Sequence, residues 1–178
     1  MLYRGTGGNY WPYVPLLDKA LGSAIARADV SGNRVGSVFA STSRAQAEEY
    51  VGDGGDLYIA EPLPGSTVTW AHGCIDLIVE FGEFLSVARY WARDRHMEAF
   101  LGDISGDVSI FEQYLSLRRQ TRLTRILVDA FVREIDLREF RNDGRGDLSV
   151  ALNGHEGEVW INGPCDLRPI PAPALQFA

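Results

Sequence analysis

The sequence predicts a single α+β domain over residues 1–178, with a helical insertion. The chain is long enough to bury a core without disulfides or metals. Short β-branched and aromatic runs bounded by glycine and proline dominate its first 70 residues, whereas apolar residues recur at helical spacing from residue 86 onward. Strand patterns return near the C-terminus. This order indicates a sheet interrupted by helices over about 86–141.

The first part of the chain alternates predicted strands and helices. The first three strands end before a glycine, a small polar residue and a proline, which are residue types that terminate strands. The predicted elements are a strand over 1–4, a helix over 14–27, a strand over 35–40, a short helix over 43–51, and strands over 56–61 and 66–70.

The later part is predicted mainly from periodicity. The run 75–81 is apolar throughout and fits either a helix or a strand. The chain carries four prolines from Pro164 onward, so this tail is expected to lie extended on the surface. The other predictions are helices over 86–101 and 108–134, a break over 102–106, a loop over 142–146, a strand over 148–152, a turn at Asn153-Gly154 and a strand over 158–161.

Charge and composition exclude several classes of partner. The net charge is −7 and the pI is near 4.9, so nucleic-acid binding through a global positive field is not expected. No apolar run reaches the roughly 18 residues that a membrane-spanning helix requires. The start lacks the pattern of a signal peptide, and we expect a cytoplasmic protein. The run Arg118-Arg119, Arg122 and Arg125 predicts a solvated helix face, with a local basic patch as the alternative.

Common catalytic motifs are missing from the sequence. Gly5-Thr6-Gly7-Gly8 lacks the last glycine of a dinucleotide fingerprint, because Tyr10 occupies that position, and no Walker lysine follows. The three histidines are not spaced for zinc, and no nucleophile elbow occurs. Cys74 and Cys165 are too isolated to indicate a metal site or a disulfide framework. We therefore expect neither metal catalysis nor serine hydrolysis.

Three short segments carry the residues that could form a site. Glu156 and Glu158 are two positions apart, which places both on one face if they lie in a strand; taken alone, the pair is more typical of an exposed hairpin rim. Arg4 offers a planar fork for a phosphate, or it is a solvated edge residue. The triplet Ser41-Thr42-Ser43 either only caps the following helix or also builds a site.

The order of these segments resembles a known enzyme family. Tyr3-Arg4-Gly5 in a first strand, VFASTS at 38–43 and EGEVWI at 156–161 resemble the Arg–Ser–Glu class of mono-ADP-ribosyltransferases. The helix with Ala-x-x-Tyr at 47–50 and the run GDLYIAEPLPG look like the equivalent stretch of rifampin-inactivating and toxin-type members. The likeness covers about 1–70 and 148–170. It implies a split mixed β-sheet core and NAD as the substrate.

The resemblance also implies catalytic roles. Glu158 would stabilise the oxocarbenium-like sugar that forms as nicotinamide leaves NAD. Glu156 would position or deprotonate the acceptor, which in this family goes with arginine-type acceptors. Ser41 would hold Glu158 in its productive rotamer by a hydrogen bond.

Binding roles follow from the same likeness. Arg4, with the adjacent Gly5, would contact the pyrophosphate or the neighbouring ribose of NAD. Thr42 and Ser43 would shape the nicotinamide end. Tyr50 or Tyr3 would stack on nicotinamide, unless these rings are core residues.

The expected partners are NAD and a target protein, with an immunity or antitoxin protein also compatible. A toxin, a delivered effector or a phage-encoded modifier would each suit the chain. Over a hundred residues separate Ser43 from Glu156, which leaves the acceptor open, and the insertion and Tyr10-Trp11-Pro12-Tyr13 are candidates for target recognition or for core packing. Alternatives are an NAD glycohydrolase, an inactive binding module on the same fold, and an unrelated α+β protein.

Overall fold

A computed structural model describes residues 1–7, 15–28, 34, 36–52, 54–88, 95–117 and 121–171. The strands are β1 Leu2–Gly5, β2 Val38–Ser41, β3 Leu57–Pro62, β4 Thr67–His72, β5 Asp136–Arg141, β6 Glu158–Asn162 and β7 Cys165–Pro169. The helices are α1 Pro15–Arg27, α2 Arg44–Glu49, α3 Leu77–Ala88, α4 Arg95–Ile104, α5 Val108–Leu117, α6 Thr121–Glu134 and α7 Leu148–Ala151. The predicted α+β class is confirmed.

The strands form one sheet with the order β5-β4-β6-β2-β1-β3-β7. Every described pairing in it is antiparallel, so the expectation of a mixed sheet is wrong. The sheet is weakest at its middle: β1 pairs with β2 only at Tyr3 and Ser41, whereas β1 pairs with β3 over four residues and β2 with β6 over four. Past the Tyr3–Ser41 pair, β1 and β2 have no further pairing among the described residues, which leaves a gap in the ladder between the two strands.

The two faces of the sheet bury different cores. The helical face carries Phe39, Ala71 and Trp160, which pack with residues of α1 and of α3 to α6 in the larger core. The opposite face, called the α7 face below, packs a smaller core against α7 and its neighbours. Its members are Leu2, Ala40, Ala60, Val68, Trp70, Leu152, Val159 and Ile161.

The helical block is longer than predicted at its start. The ambiguous run at 75–81 opens α3, whose buried positions Leu77, Phe81, Phe84 and Leu85 recur at helical spacing. Phe81 packs edge-on against aromatic rings of two other helices, with centroid distances of 5.0 Å to Phe111 and 5.2 Å to Phe131. The segment predicted as one helix over 108–134 contains two helices, α5 and α6.

Two predictions near the end of the insertion are wrong. Asp136–Arg141 is not helical but forms edge strand β5, paired with β4 along its whole length, so the helices end at Glu134. Residues 148–151 form α7 rather than a strand. Asp147 caps α7 by accepting a hydrogen bond from the Ser149 amide at 2.8 Å.

The described part of the proline-bearing tail is extended as expected: it contains strand β7, which pairs with β3 along the other edge of the sheet, and the rest of the tail, from residue 172, lies outside the described residues. The candidate recognition loop Tyr10-Trp11-Pro12-Tyr13 lies outside the described residues, as do Arg118 and Arg119. Among the helices that the structure describes, none combines the length and apolar character needed to cross a bilayer.

Candidate functional site

The candidate site is centred on Glu158, the first residue of β6. Ser41, the last residue of β2, is the Cα partner of Glu158 on one side and of Tyr3 on the other. Residues directly opposite in an antiparallel sheet point to the same face, so these three side chains share the helical face. The sheet thus brings the predicted serine and glutamate side by side.

The carboxylate of Glu158 is held mainly through one oxygen. Oε1 accepts hydrogen bonds from Arg34 Nη1 and from Trp160 Nε1, whereas among the described residues Oε2 accepts one bond, from the Leu77 amide, at 3.3 Å. The Glu158 side chain is 14% exposed. Oε2 is therefore the less engaged of the two oxygens.

Arg34 is the central residue that sequence reasoning missed. Its side chain is 4% exposed; its Nε donates to Asp18 Oδ1 at 3.0 Å, and its Nη2 lies 2.9 Å from the same oxygen in an ion pair. Its guanidinium also lies over the rings of Phe39, at 4.7 Å, and Trp160, at 5.1 Å. The result is a cluster of one buried cation and two part-buried carboxylates, with Trp160 beside them, and these four residues are called the Arg34 cluster below.

Burial alone would disfavour the charge on Arg34. The carboxylates of Glu158 and Asp18 outweigh that effect and hold the pKa of the guanidinium above its ordinary value. No motif marks this arginine in the sequence, because its partners lie 16 and 124 residues away along the chain. Only the folded arrangement of α1, β2 and β6 reveals it.

Gly157 allows a loop to approach Glu158 closely. The Glu158 amide donates to Ile75 O at 2.9 Å, and a Cβ at position 157 would lie 2.5 Å from Cys74 O. Gly157 also has φ +138, in the region that favours glycine. Its amide donates to Thr42 Oγ1 at 2.9 Å, and its carbonyl accepts the Thr42 amide at 3.0 Å. These bonds fix the entrance to β6.

The serine–threonine triplet both caps a helix and braces the site. Ser43 is the N-cap of α2 and accepts the Gln46 amide. Ser41 Oγ donates to Gln46 Oε1 at 2.6 Å and accepts the Ser43 amide at 2.9 Å. The expected side-chain bond from Ser41 to Glu158 is not among these contacts. Gln46 in turn donates to Ile75 O at 2.9 Å, so it connects Ser41 to the loop that contacts Glu158.

Glu156 does not share a strand with Glu158. Because β6 begins at Glu158 and Gly157 has a positive φ, the predicted arrangement of two acids on one strand face is wrong. Glu156 is exposed and forms no ion pair with a described residue. It stands at the rim, where its carboxylate is open to an approaching molecule.

Arg4 and Gly5 lie apart from the glutamate. Arg4 follows Tyr3 in β1, so its side chain points to the α7 face, opposite to Glu158. Its Nη1 donates weakly to Phe39 O at 3.4 Å, and its buried Nε has no hydrogen-bond partner. At Gly5 a Cβ would lie 2.2 Å from Ala47 O, so this glycine lets α2 pack on β1.

Tyr50 lies beside the loop that contacts Glu158. It is the C-cap of α2, and its hydroxyl donates to Asp76 Oδ2. Burial, reinforced by that bond to a carboxylate, raises the pKa of Tyr50 well above its ordinary value. Burial likewise raises the pKa of the neighbouring Cys74 thiol to about 12, so this cysteine is not a thiolate at neutral pH.

A second polar cluster lies on the α7 face behind Glu158. His155 is 4% exposed and its Nε2 is 3.1 Å from Glu158 O, so that nitrogen carries the proton. The His155 ring lies 6.2 Å from the rings of both Trp70 and His72. His155 Nδ1, His72 Nδ1 and Trp70 Nε1 are buried without a hydrogen-bond partner. These three residues are called the imidazole cluster below.

The described residues contain no group of three histidine, cysteine or acidic side chains arranged to hold a metal ion. What the Glu158 region offers instead is a fixed carboxylate with one freer oxygen, an exposed second carboxylate and a rigid frame of backbone bonds. Such an arrangement can accept a hydroxyl hydrogen bond and place negative charge beside a cation. The chain matches no protein-family model, no curated protein and no solved structure.

Proposed function

We propose that this chain is a mono-ADP-ribosyltransferase of the Arg–Ser–Glu class that uses NAD as its substrate. The observation that carries the proposal is the adjacency of Ser41 and Glu158 on neighbouring strands, next to β1 with its Arg4. In this proposal the parting of β1 from β2 corresponds to the split sheet of that class. The helices between β4 and β5 are then its insertion.

Glu158 supplies the central chemistry in this proposal. Oε2 accepts a hydrogen bond from a ribose hydroxyl of NAD, and the carboxylate lies beside the sugar. The bond between C1′ and the nicotinamide nitrogen breaks, and its electron pair leaves with nicotinamide. The sugar becomes cationic, and a nearby negative charge lowers the energy of that transition state. The acceptor then forms the new bond to C1′ and loses its proton.

The other site residues serve binding. Thr42 bonds to Gly157 at the entrance to β6, and Ser43 caps the neighbouring helix α2. Tyr50 at the end of α2 bonds to Asp76, and the nicotinamide end would lie near these residues. Arg4 and Gly5 belong to β1, and a dinucleotide seated at Glu158 would reach them only across the gap between β1 and β2. We propose that the NAD phosphates cross there, toward the one Arg4 nitrogen that is buried without a partner.

The acceptor would meet Glu156. This carboxylate is exposed at the rim, which suits the orientation or deprotonation of a group on a target protein, and a guanidinium is the chemistry it fits best. Cytoplasmic action and an immunity or antitoxin partner belong to the same proposal. Water in place of the acceptor would make the chain an NAD glycohydrolase.

The test is nicotinamide release from NAD by the wild type and by Glu158→Gln, with cell lysate as a source of acceptors. Glu61→Gln is the matched control, since Glu61 pairs with Arg168 at the far side of the sheet. The proposal expects turnover that Glu158→Gln lowers by about 10²-fold or more and Glu61→Gln leaves unchanged. Label transferred to lysate protein distinguishes transfer from hydrolysis. A folded wild type that neither binds nor cleaves NAD overturns the proposal.

A binding module without NAD chemistry is the second candidate. The observation that favours it is the ion pair from Arg34 to Glu158, because a carboxylate already paired with a cation stabilises a second cation less strongly. Under this reading the site is a structural core and the partner binds elsewhere. Absence of NAD cleavage and of NAD binding in the folded protein would favour it.

A further inference from the structure

We infer that Arg34, held in place by Asp18, is the positioning residue for Glu158: it fixes Oε1 and so presents Oε2 to the ligand. The inference rests on the proposed NAD chemistry and adds to it two residues that no motif marks. In this inference Arg34 has the positioning role that the resemblance assigns to Ser41, because the Ser41 hydroxyl donates to Gln46 instead.

The geometry at Glu158 is asymmetric in the way that positioning requires. Two side-chain donors, from Arg34 and Trp160, converge on Oε1, whereas Oε2 has one longer bond to the Leu77 amide. A carboxylate fixed through one oxygen cannot rotate without breaking both of those bonds. The second oxygen is therefore aimed in one direction before any ligand arrives, which reduces the reorganisation that the reaction requires.

Arg34 is itself held in place by contacts with residues other than Glu158. Its Nε donates to Asp18 Oδ1, its Nη2 forms an ion pair with the same oxygen, and its guanidinium lies over the neighbouring rings of Phe39 and Trp160. Its side chain is 4% exposed, so solvent does not compete for these contacts. An arginine satisfies this arrangement because its fork is planar and carries donors in several directions, which a lysine ammonium cannot reproduce.

Asp18 lies at the start of α1, which is bonded to α5. It lies in the first turn of α1, and the amides of Leu16 and Leu17 donate to Glu112 of α5 at 2.9 Å and 2.7 Å. The start of α1 is thus tied to the helical block. A continuous series of contacts runs from α5 through Asp18 and Arg34 to Glu158, so the helices between β4 and β5 help to orient the carboxylate.

The experiment measures kcat and KM for NAD in Arg34→Lys and Asp18→Asn. Arg27→Lys is the matched control, because Arg27 also lies on α1 and pairs with an aspartate, Asp129, without contacting Glu158. The expected result is a fall in kcat of about 10²-fold for Arg34→Lys with KM changed little, since misplacement of a reacting group by about 1 Å has that effect. Asp18→Asn is expected to show a smaller fall, and Arg27→Lys none.

A double variant separates positioning from general destabilisation. If Arg34 acts through Glu158, adding Arg34→Lys to Glu158→Gln lowers kcat no further, whereas independent effects would multiply. A second readout needs no turnover: the indole N–H of Trp160, bonded to Oε1, is followed by NMR and assigned with Trp160→Phe. Its resonance is expected to move in Arg34→Lys and to stay in place in Arg27→Lys.

The outcomes are distinct. Turnover that Glu158→Gln abolishes but Arg34→Lys and Asp18→Asn leave intact overturns the positioning role and keeps the proposed function. Multiplying effects in the double variant, or an unmoved Trp160 resonance, overturns it as well. A folded wild type without NAD cleavage overturns both proposals together, since there would be no reaction for Arg34 to assist. If Arg34→Lys does not fold, Asp18→Asn decides by the same criteria.

Discussion

The Arg34 cluster and the imidazole cluster lie on opposite faces of the sheet around β6 and differ in how their polar atoms are satisfied. In the Arg34 cluster, Arg34 and Trp160 donate to Glu158, and Arg34 also donates to Asp18. In the imidazole cluster, three ring nitrogens are buried without a partner. Both clusters contain a tryptophan that is almost completely buried, Trp160 in one and Trp70 in the other.

This difference shows which side of the sheet depends on specific polar geometry. A hydrogen bond to a charged group contributes about 1.5–3 kcal/mol to stability, whereas a buried polar group without a partner lowers stability by about 1–3 kcal/mol. The Arg34 cluster should therefore be sensitive to any change of donor or charge. The imidazole cluster should respond mainly to changes of volume and of protonation.

The largest expected effect comes from removing the cation. Arg34→Met should lower the free energy of unfolding by about 3–5 kcal/mol, because it leaves the part-buried carboxylates of Asp18 and Glu158 without their counter-ion. Denaturant unfolding measures the change. Arg27→Met is the control: this more exposed arginine pairs with Asp129 on the surface, where loss of an ion pair costs about 1 kcal/mol at most. Equal losses in the two variants would show that the Arg34 cluster is no more sensitive than the surface.

The close approach at Gly157 should give the next largest effect. Gly157→Ala places a Cβ 2.5 Å from Cys74 O at φ +138, so strain of about 1–3 kcal/mol adds to overpacking of about 1–3 kcal/mol. Gly154→Ala is matched to it: φ there is +76 but no atom lies within 4 Å of the added Cβ. The first variant should lose more stability than the second by the overpacking contribution. If calorimetric unfolding finds the two equal, the loop does not approach as described.

The sequence predicted the elements around the site better than the site itself. The strands β1, β2, β3, β4 and β6 and the helices α1 and α2 follow from glycine and proline punctuation and from simple periodicity. The pairing of Ser41 with Glu158 fits their expected association, since both flank short strands of one sheet. Local pattern was sufficient for these features.

The features that were missed depend on distant contacts. Arg34 is recognisable only once Asp18 and Glu158 surround it. The predicted helical insertion extends to about residue 141, and only the pairing of residues 136–141 with β4 shows that they form a strand. Residues 148–152 alternate as a strand would, but Leu148, Ala151 and Leu152 bury one side at helical spacing against the smaller core. In each case tertiary packing decided between two local readings.

A single substitution compares the two clusters directly. Trp160→Phe and Trp70→Phe remove the same atoms from side chains that are 1% and 2% exposed. Only Trp160 loses a hydrogen bond to a carboxylate, so its variant should be less stable than Trp70→Phe by about 1.5–3 kcal/mol. Urea unfolding of both variants gives the difference. An equal loss would mean that volume alone accounts for both tryptophans.

The smallest expected effect is a pH dependence from the imidazole cluster. Burial, with the nearby His72 and Arg138, holds the pKa of His155 below its ordinary value, although its bond to Glu158 O opposes the shift. In the unfolded chain His155 titrates near pH 6.5, so below that value the unfolded state binds more protons than the folded state. Stability is therefore present above about pH 6.5 and is lost as the pH falls toward the lower folded pKa, by at most about 1.4 kcal/mol per pH unit.

Unfolding at several pH values between about 7.5 and 5.5 measures this slope. Asp136, which also faces His72, does not contribute there, because its hydrogen bond from Arg138 lowers a pKa that is already acidic. His155→Phe should flatten the slope, whatever its effect on stability at neutral pH. His96→Gln, at an exposed position of α4, should leave the slope unchanged. A slope that survives in His155→Phe would assign the pH dependence to another group and leave the imidazole cluster as packing alone.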